Sequence, residues 1–86
     1  MRKIEFKAGY HEWNIFVNDN IVYSFSIDCE ELNTRKLCFV FAEDIVYCMQ
    51  EEFEEKYEDT NPHFTQDELE YLKELIGETL YEFHGE

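Results

Sequence analysis

The chain has 86 residues, with 21 Asp and Glu against 7 Lys and Arg and a formal net charge of −14. That length holds one small domain and excludes two, while 44% apolar and 17% aromatic residues are too many for a disordered acidic tail, so the chain folds. No apolar run approaches the roughly 18 to 20 residues of a membrane span, and Met1-Arg2-Lys3-Ile4-Glu5 lacks the apolar stretch of a signal peptide, which points to the cytoplasm. An acidic surface is repelled by phosphate backbones and anionic lipids, which excludes direct nucleic-acid or membrane binding and leaves a partner with a basic surface.

Period-2 patterning opens the chain. Ile4 and Phe6 alternate with Lys3, Glu5 and Lys7; Trp13, Ile15 and Val17 alternate with Asn14 and Phe16; Ile21, Tyr23, Phe25 and Ile27 alternate with Val22, Ser24, Ser26 and Asp28. These are three strands. Asn18-Asp19-Asn20 supplies a tight hairpin turn between the second and third, and Ala8-Gly9-Tyr10-His11 a longer link between the first and second. Periodicity does not assign the apolar run Leu37-Cys38-Phe39-Val40-Phe41. Its aromatic and β-branched content favours a fourth strand; the alternative is a helix capped at Asp28 and running through Glu30, Glu31 and Leu32.

From about Ala42 the period becomes helical. Ile45, Met49, Phe53 and Tyr57 recur every fourth residue, supported by Val46 and Cys48, until Glu58-Asp59-Thr60-Asn61-Pro62 stops the helix. Thr65 then offers an N-cap, Glu68 closes a capping box, and Phe64 is placed to staple against Leu69. The spacing predicts a second helix from Gln66 to about Phe83 with Leu69, Leu72, Leu75, Ile76, Leu80 and Phe83 on its apolar face. Gly77 inside it costs up to about 1 kcal/mol relative to Ala unless close packing requires it. The expected fold is α+β: a single domain with an antiparallel sheet of three to four strands over residues 1–41, and an acidic helical half over residues 42–86 packed on one face.

Motifs for catalysis are missing. The sequence has no Gly-x-Ser-x-Gly turn, phosphate-cradling glycine loop or His-Glu-x-x-His run, and Gly9, Gly77 and Gly85 are scattered. Crowded carboxylates on an exposed helix face are solvated acids rather than general acids. His11, His63 and His84 lie far apart, and Cys29, Cys38 and Cys48 match no paired zinc or redox spacing. The cysteines read as reduced, partly buried thiols. A non-enzymatic protein without cofactor or metal is expected.

Charge carries the functional signal. Residues 1–42 hold six acids and five bases, whereas residues 43–86 hold fifteen acids against Lys56 and Lys73. Solvated helices gain a few tenths of a kcal/mol from each Glu and Lys four residues apart and lose about as much from like charges. This chain accepts that cost repeatedly. Glu51, Glu52, Glu54, Glu55, Glu58 and Asp59 crowd the end of the first helix, on the unfavourable side of its dipole. Asp67, Glu70, Glu74, Glu78 and Glu82 stripe the second helix opposite its leucines. A four-residue step advances a helix by about 6 Å, similar to the spacing of successive phosphates on an extended strand, so such a stripe can stand in for a nucleic-acid backbone. Tyr47 and Tyr71 point off the apolar faces into the acids, where exposed Tyr serves as an interface anchor.

In size, charge and layout the chain resembles the small acidic inhibitors that phages encode against bacterial defence nucleases, including anti-CRISPR proteins and other DNA mimics. The resemblance implies an acidic face lying where a nuclease holds duplex DNA, such as the arginines with which Cas9-type enzymes read the PAM. Barstar-like and colicin-immunity-like inhibitors of basic toxins share this electrostatic logic. The expected contact set is Tyr47, Glu51, Glu52, Glu54, Glu55, Glu58, Asp59, Asp67, Glu70, Tyr71, Glu74 and Glu78, facing a basic nucleic-acid-handling protein. The alternative is a structural or oligomerisation module whose sheet makes the contact through Trp13, Phe16, Val22 and Val40 while the acids solvate the helices.

Overall fold

The computed structural model describes residues 2–10, 12–26, 34–56 and 62–84. Three strands, β1 (Ile4–Ala8), β2 (Trp13–Val17) and β3 (Asn20–Phe25), precede two helices, α1 (Arg35–Lys56) and α2 (Gln66–His84). The sheet is antiparallel in the order β1-β2-β3. Asn18 and Asp19 take φ values of 51° and 69°, the left-handed pair that lets a two-residue turn follow the strand twist. The turn is tied to the start of β1: the Lys3 amide donates to Asn18 Oδ1 at 3.1 Å, and the Asn18 amide to the Lys3 carbonyl at 2.8 Å.

The strand alternation sorts the side chains as the sequence implies. Ile4, Phe6, Trp13, Ile15 and Val17 are buried and share the face covered by the helices. β3 departs from strict alternation. Tyr23 lies opposite Ile15 but Ile21 lies opposite Phe16, so Val22 is an extra residue in a bulge. Ile21 is therefore 57% exposed, whereas simple alternation would have put it inside. The other expected members of this strand beyond Ser26, and the Asp28 cap, lie outside the described residues, as does His11.

Residues 37–41 form no fourth strand; they belong to the first two turns of α1. Thr34 starts the helix, its hydroxyl accepting the Leu37 amide at 3.2 Å and its carbonyl the Cys38 amide at 3.1 Å. The inward residues Cys38, Ala42, Val46, Met49 and Phe53 continue one helical period from before Ala42. The apolar run is spread around the helix rather than alternating: Cys38 is buried, Phe39 lies against Gly77, Phe41 is 6.2 Å from the Phe25 ring, and Leu37 and Val40 are exposed. Tertiary packing has overridden β propensity. It also corrects the boundary between the sheet and helical parts of the chain, because α1 starts at Arg35. Cys48, expected on the apolar face, is exposed and Cys38 is buried; neither is in a disulfide.

α2 begins as its sequence requires. The Glu68 amide donates to Thr65 Oγ1 at 3.2 Å and the Thr65 amide to Glu68 Oε1 at 2.9 Å, a complete capping box. Leu69, Leu72, Ile76 and Leu80 are buried, and Leu75 packs at the margin of the core. Phe83 is largely exposed, its ring meeting Trp13 edge-on at 5.2 Å. Gly77 sits where a Cβ would come within 2.7 Å of the Phe39 ring, so close packing of the helices requires the glycine. No helix among the described residues is long and apolar enough to cross a membrane.

Candidate functional site: the acidic helix surface

Burying side chains such as Met49, Leu72, Ile76 and Leu80, all fully inside, contributes about 1.5–3 kcal/mol each. A like-charge pair on a helix surface costs a few tenths. Packing therefore holds α1 and α2 in place whatever their outer faces carry, and those faces are free to be acidic.

On α1, Asp44, Tyr47, Glu51, Glu54 and Glu55 are exposed and follow one another at helical spacings, with Glu43 exposed beside them and Glu52 half-buried. Tyr47 is 62% exposed, and its hydroxyl is held by the Glu51 carboxylate, which pushes its pKa up. On α2, Asp67, Glu70, Glu74 and Glu82 are exposed, Glu78 is half-buried, and Tyr71 is 43% exposed. Glu58 and Asp59 lie outside the described residues. Glu43 and Asp44 extend the acidic ridge beyond the contact set read from the sequence. The signal was present, since both fall one helical turn before Tyr47, but a helix beginning at Ala42 leaves them in its first turn instead of mid-ridge.

Bases distant in sequence decide which acids stay bare. Arg35 pairs with Glu78 while stacking 4.8 Å from the Phe39 ring centroid. Lys73 reaches Glu70 at 3.5 Å beside a groove formed by Glu43, Asp44, Val46, Tyr47 and Gln50 of α1. Arg2 is taken up by Glu68 at 2.8 Å, and Lys3 and Lys7 by Glu5 and Asp19. Among the described residues, no Lys or Arg pairs with Glu43, Asp44, Glu51, Glu54, Glu55, Asp67, Glu74 or Glu82. The stripe on α2 is thus interrupted twice, at Glu70 by Lys73 and near its end at Glu78 by Arg35.

The contacts expected of a sheet-mediated module are dispersed. Trp13 is buried in the core, Phe16 and Val22 are half-buried, and Val40 is exposed on α1 rather than on the sheet. Among the described residues, no group of three or more His, Cys, Asp or Glu side chains could hold a metal ion. No family model, curated protein or solved structure matches the chain.

Proposed function

We propose that the chain is a non-enzymatic inhibitor that acts in the cytoplasm, laying the outer faces of α1 and α2 on the basic nucleic-acid-binding surface of a partner nuclease and blocking DNA access, in the manner of anti-CRISPR DNA mimics. One observation carries this reading: eight exposed acids on two packed helices are in no ion pair with Lys or Arg among the described residues, while Arg2, Lys3, Lys7, Arg35 and Lys73 are each held by other acids. An acidic face built this way gives fast, salt-sensitive association with a cationic surface. Tyr47 and Tyr71, exposed among the acids, supply the apolar anchors that specificity needs.

The test is capture from a lysate rich in defence nucleases, using the immobilised chain at about physiological salt. A nucleic-acid-handling protein should be retained, then released by competing duplex DNA or by about 1 M salt, where screening acts within about 3 Å. Retention unaffected by DNA would contradict the reading.

A further inference from the structure

The two edges of the sheet differ. β1 is guarded by Glu5 and Lys7, which pair with each other at 3.0 Å, and α2 packs against it. β3 has no charged residue and no proline from Asn20 to Phe25, although natural sheets usually blunt an open edge with one or the other. Among the described residues it carries instead a bulge at Val22. Asn20, Ile21 and Ser24 are exposed, and Val22, Tyr23 and Phe25 are half-buried. Among the described residues, the side of β3 away from β2 has no strand partner.

A groove runs along this edge between Ile21, Val22, Tyr23 and Ser24 of β3 and Glu52 and Phe53 of α1. The Tyr23 ring meets Phe53 edge-on at 6.2 Å. The groove is thus lined by Ile21, Val22, Tyr23 and Phe53 together with Ser24 and one carboxylate, Glu52. An open strand edge beside a groove binds an extended peptide through main-chain hydrogen bonds, with alternate side chains entering the groove.

Charge selects the occupant. A second copy pairing edge to edge would bring its own Glu52 and a further net charge of −14 against the same features, and like charges set opposite one another are destabilising. Nucleic acid is repelled for the same reason. A basic strand is attracted instead.

We propose that the β3 edge and the Glu52–Phe53 wall of α1 take up an extended basic segment of the partner protein as an added strand, one apolar side chain resting on Val22, Tyr23 and Phe53 and a neighbouring Lys or Arg meeting Glu52. The proposal rests on the inhibitor reading in taking the partner to be basic, and it adds the element that grips the partner once the helix acids have steered it in. The bulge confines regular pairing to Tyr23 through Phe25, so the added strand is short.

The test titrates the full, isotope-labelled chain with a peptide of alternating Val and Arg, and with the same peptide N-methylated at alternate backbone amides. Methylation removes strand pairing while keeping the charge. Amide shifts should concentrate in Ile21–Phe25 and at Glu52 and Phe53, with slowed hydrogen exchange in β3, and the methylated peptide should bind about tenfold more weakly. Glu52→Lys should weaken binding by about tenfold, whereas Glu12→Lys, the same change of net charge on the β1–β2 connection, should leave it within about twofold. Equal binding by the two peptides, or shifts confined to the outer ridges of α1 and α2, would overturn the edge proposal and leave the inhibitor reading standing. Failure of both peptides to bind would also overturn it, since the inhibitor reading is judged separately by competition with DNA.

Discussion

Arg2 stands where the sheet meets the second helix. Its guanidinium donates to Glu68 through Nε at 2.9 Å and Nη2 at 2.8 Å, and to the Pro62 carbonyl through Nη1 at 2.6 Å. It also lies 5.2 Å from the Phe64 ring centroid. The Arg2 hydrogen bonds, followed by that from the Thr65 amide, hold the Glu68 carboxyl down at about 2. Because this value lies below the ordinary 4.5, the stabilisation is complete above pH 4.5 and is lost as pH falls toward 2. With Arg2 partly exposed to solvent, its size is on the order of 2 kcal/mol. Glu68→Gln should lose about that much in urea unfolding at pH 7 and flatten the acid limb of stability; an unchanged acid limb would show that the link contributes nothing. Gly77→Ala presents a second single-residue test. Ala is the better helix former by about 1 kcal/mol, yet its Cβ meets the Phe39 ring at 2.7 Å; overpacking costs about 1–3 kcal/mol, so a net loss of up to about 2 kcal/mol is expected. Phe39→Leu should restore part of it in a double-mutant cycle.

At the scale of elements, the hairpin, the capping box and the second helix were legible because each is a local signal: Asn18 and Asp19 tolerate positive φ, and Thr65 and Glu68 satisfy one another within a single turn. The start of α1 was not legible in the same way. Leu37 to Phe41 has strand composition, and the contacts that go with the helical state reach far along the chain, Phe39 against Gly77 and Phe41 against Phe25. Thr34 was a local cue, but an N-cap Thr without an acidic residue three positions later is weak. The functional consequence is that the acidic ridge of α1 is longer than the sequence suggested. Two charge reversals probe the helices separately: Glu51→Lys with Glu55→Lys, and Glu70→Lys with Glu74→Lys. Each should leave the fold intact, and the first should raise its stability by a few tenths of a kcal/mol by relieving like-charge repulsion. Each should weaken partner binding by about tenfold or more. If both pairs bind as the unaltered chain does, the surface is misassigned.

For the whole molecule, a net charge of −14 on 86 residues opposes compaction. Added salt screens that repulsion, with a Debye length of about 8 Å at physiological strength and 3 Å at 1 M. The thermal midpoint should therefore rise as NaCl is increased toward about 0.5 M; a midpoint that falls would mean that the ion pairs of Arg2, Lys3 and Arg35 outweigh the repulsion. The charge asymmetry between the two parts of the chain was readable directly from the residues, but which acids remain bare was not. Arg2 reaches Glu68 across 66 positions and Arg35 reaches Glu78 across 43, separations that only the tertiary fold closes. Glu70 and Glu78 thus leave the bare stripe, while Glu43 and Asp44 join the exposed ridge.

The most direct measurement of the central claim is the affinity of the chain for the basic protein it captures, determined at several salt concentrations with and without duplex DNA. The account predicts that DNA and the chain exclude one another, that Kd rises steeply with salt, and that the Glu51→Lys, Glu55→Lys variant shows a shallower salt slope. Simultaneous binding of DNA and chain to that protein, with Kd unchanged by either DNA or salt, would contradict it.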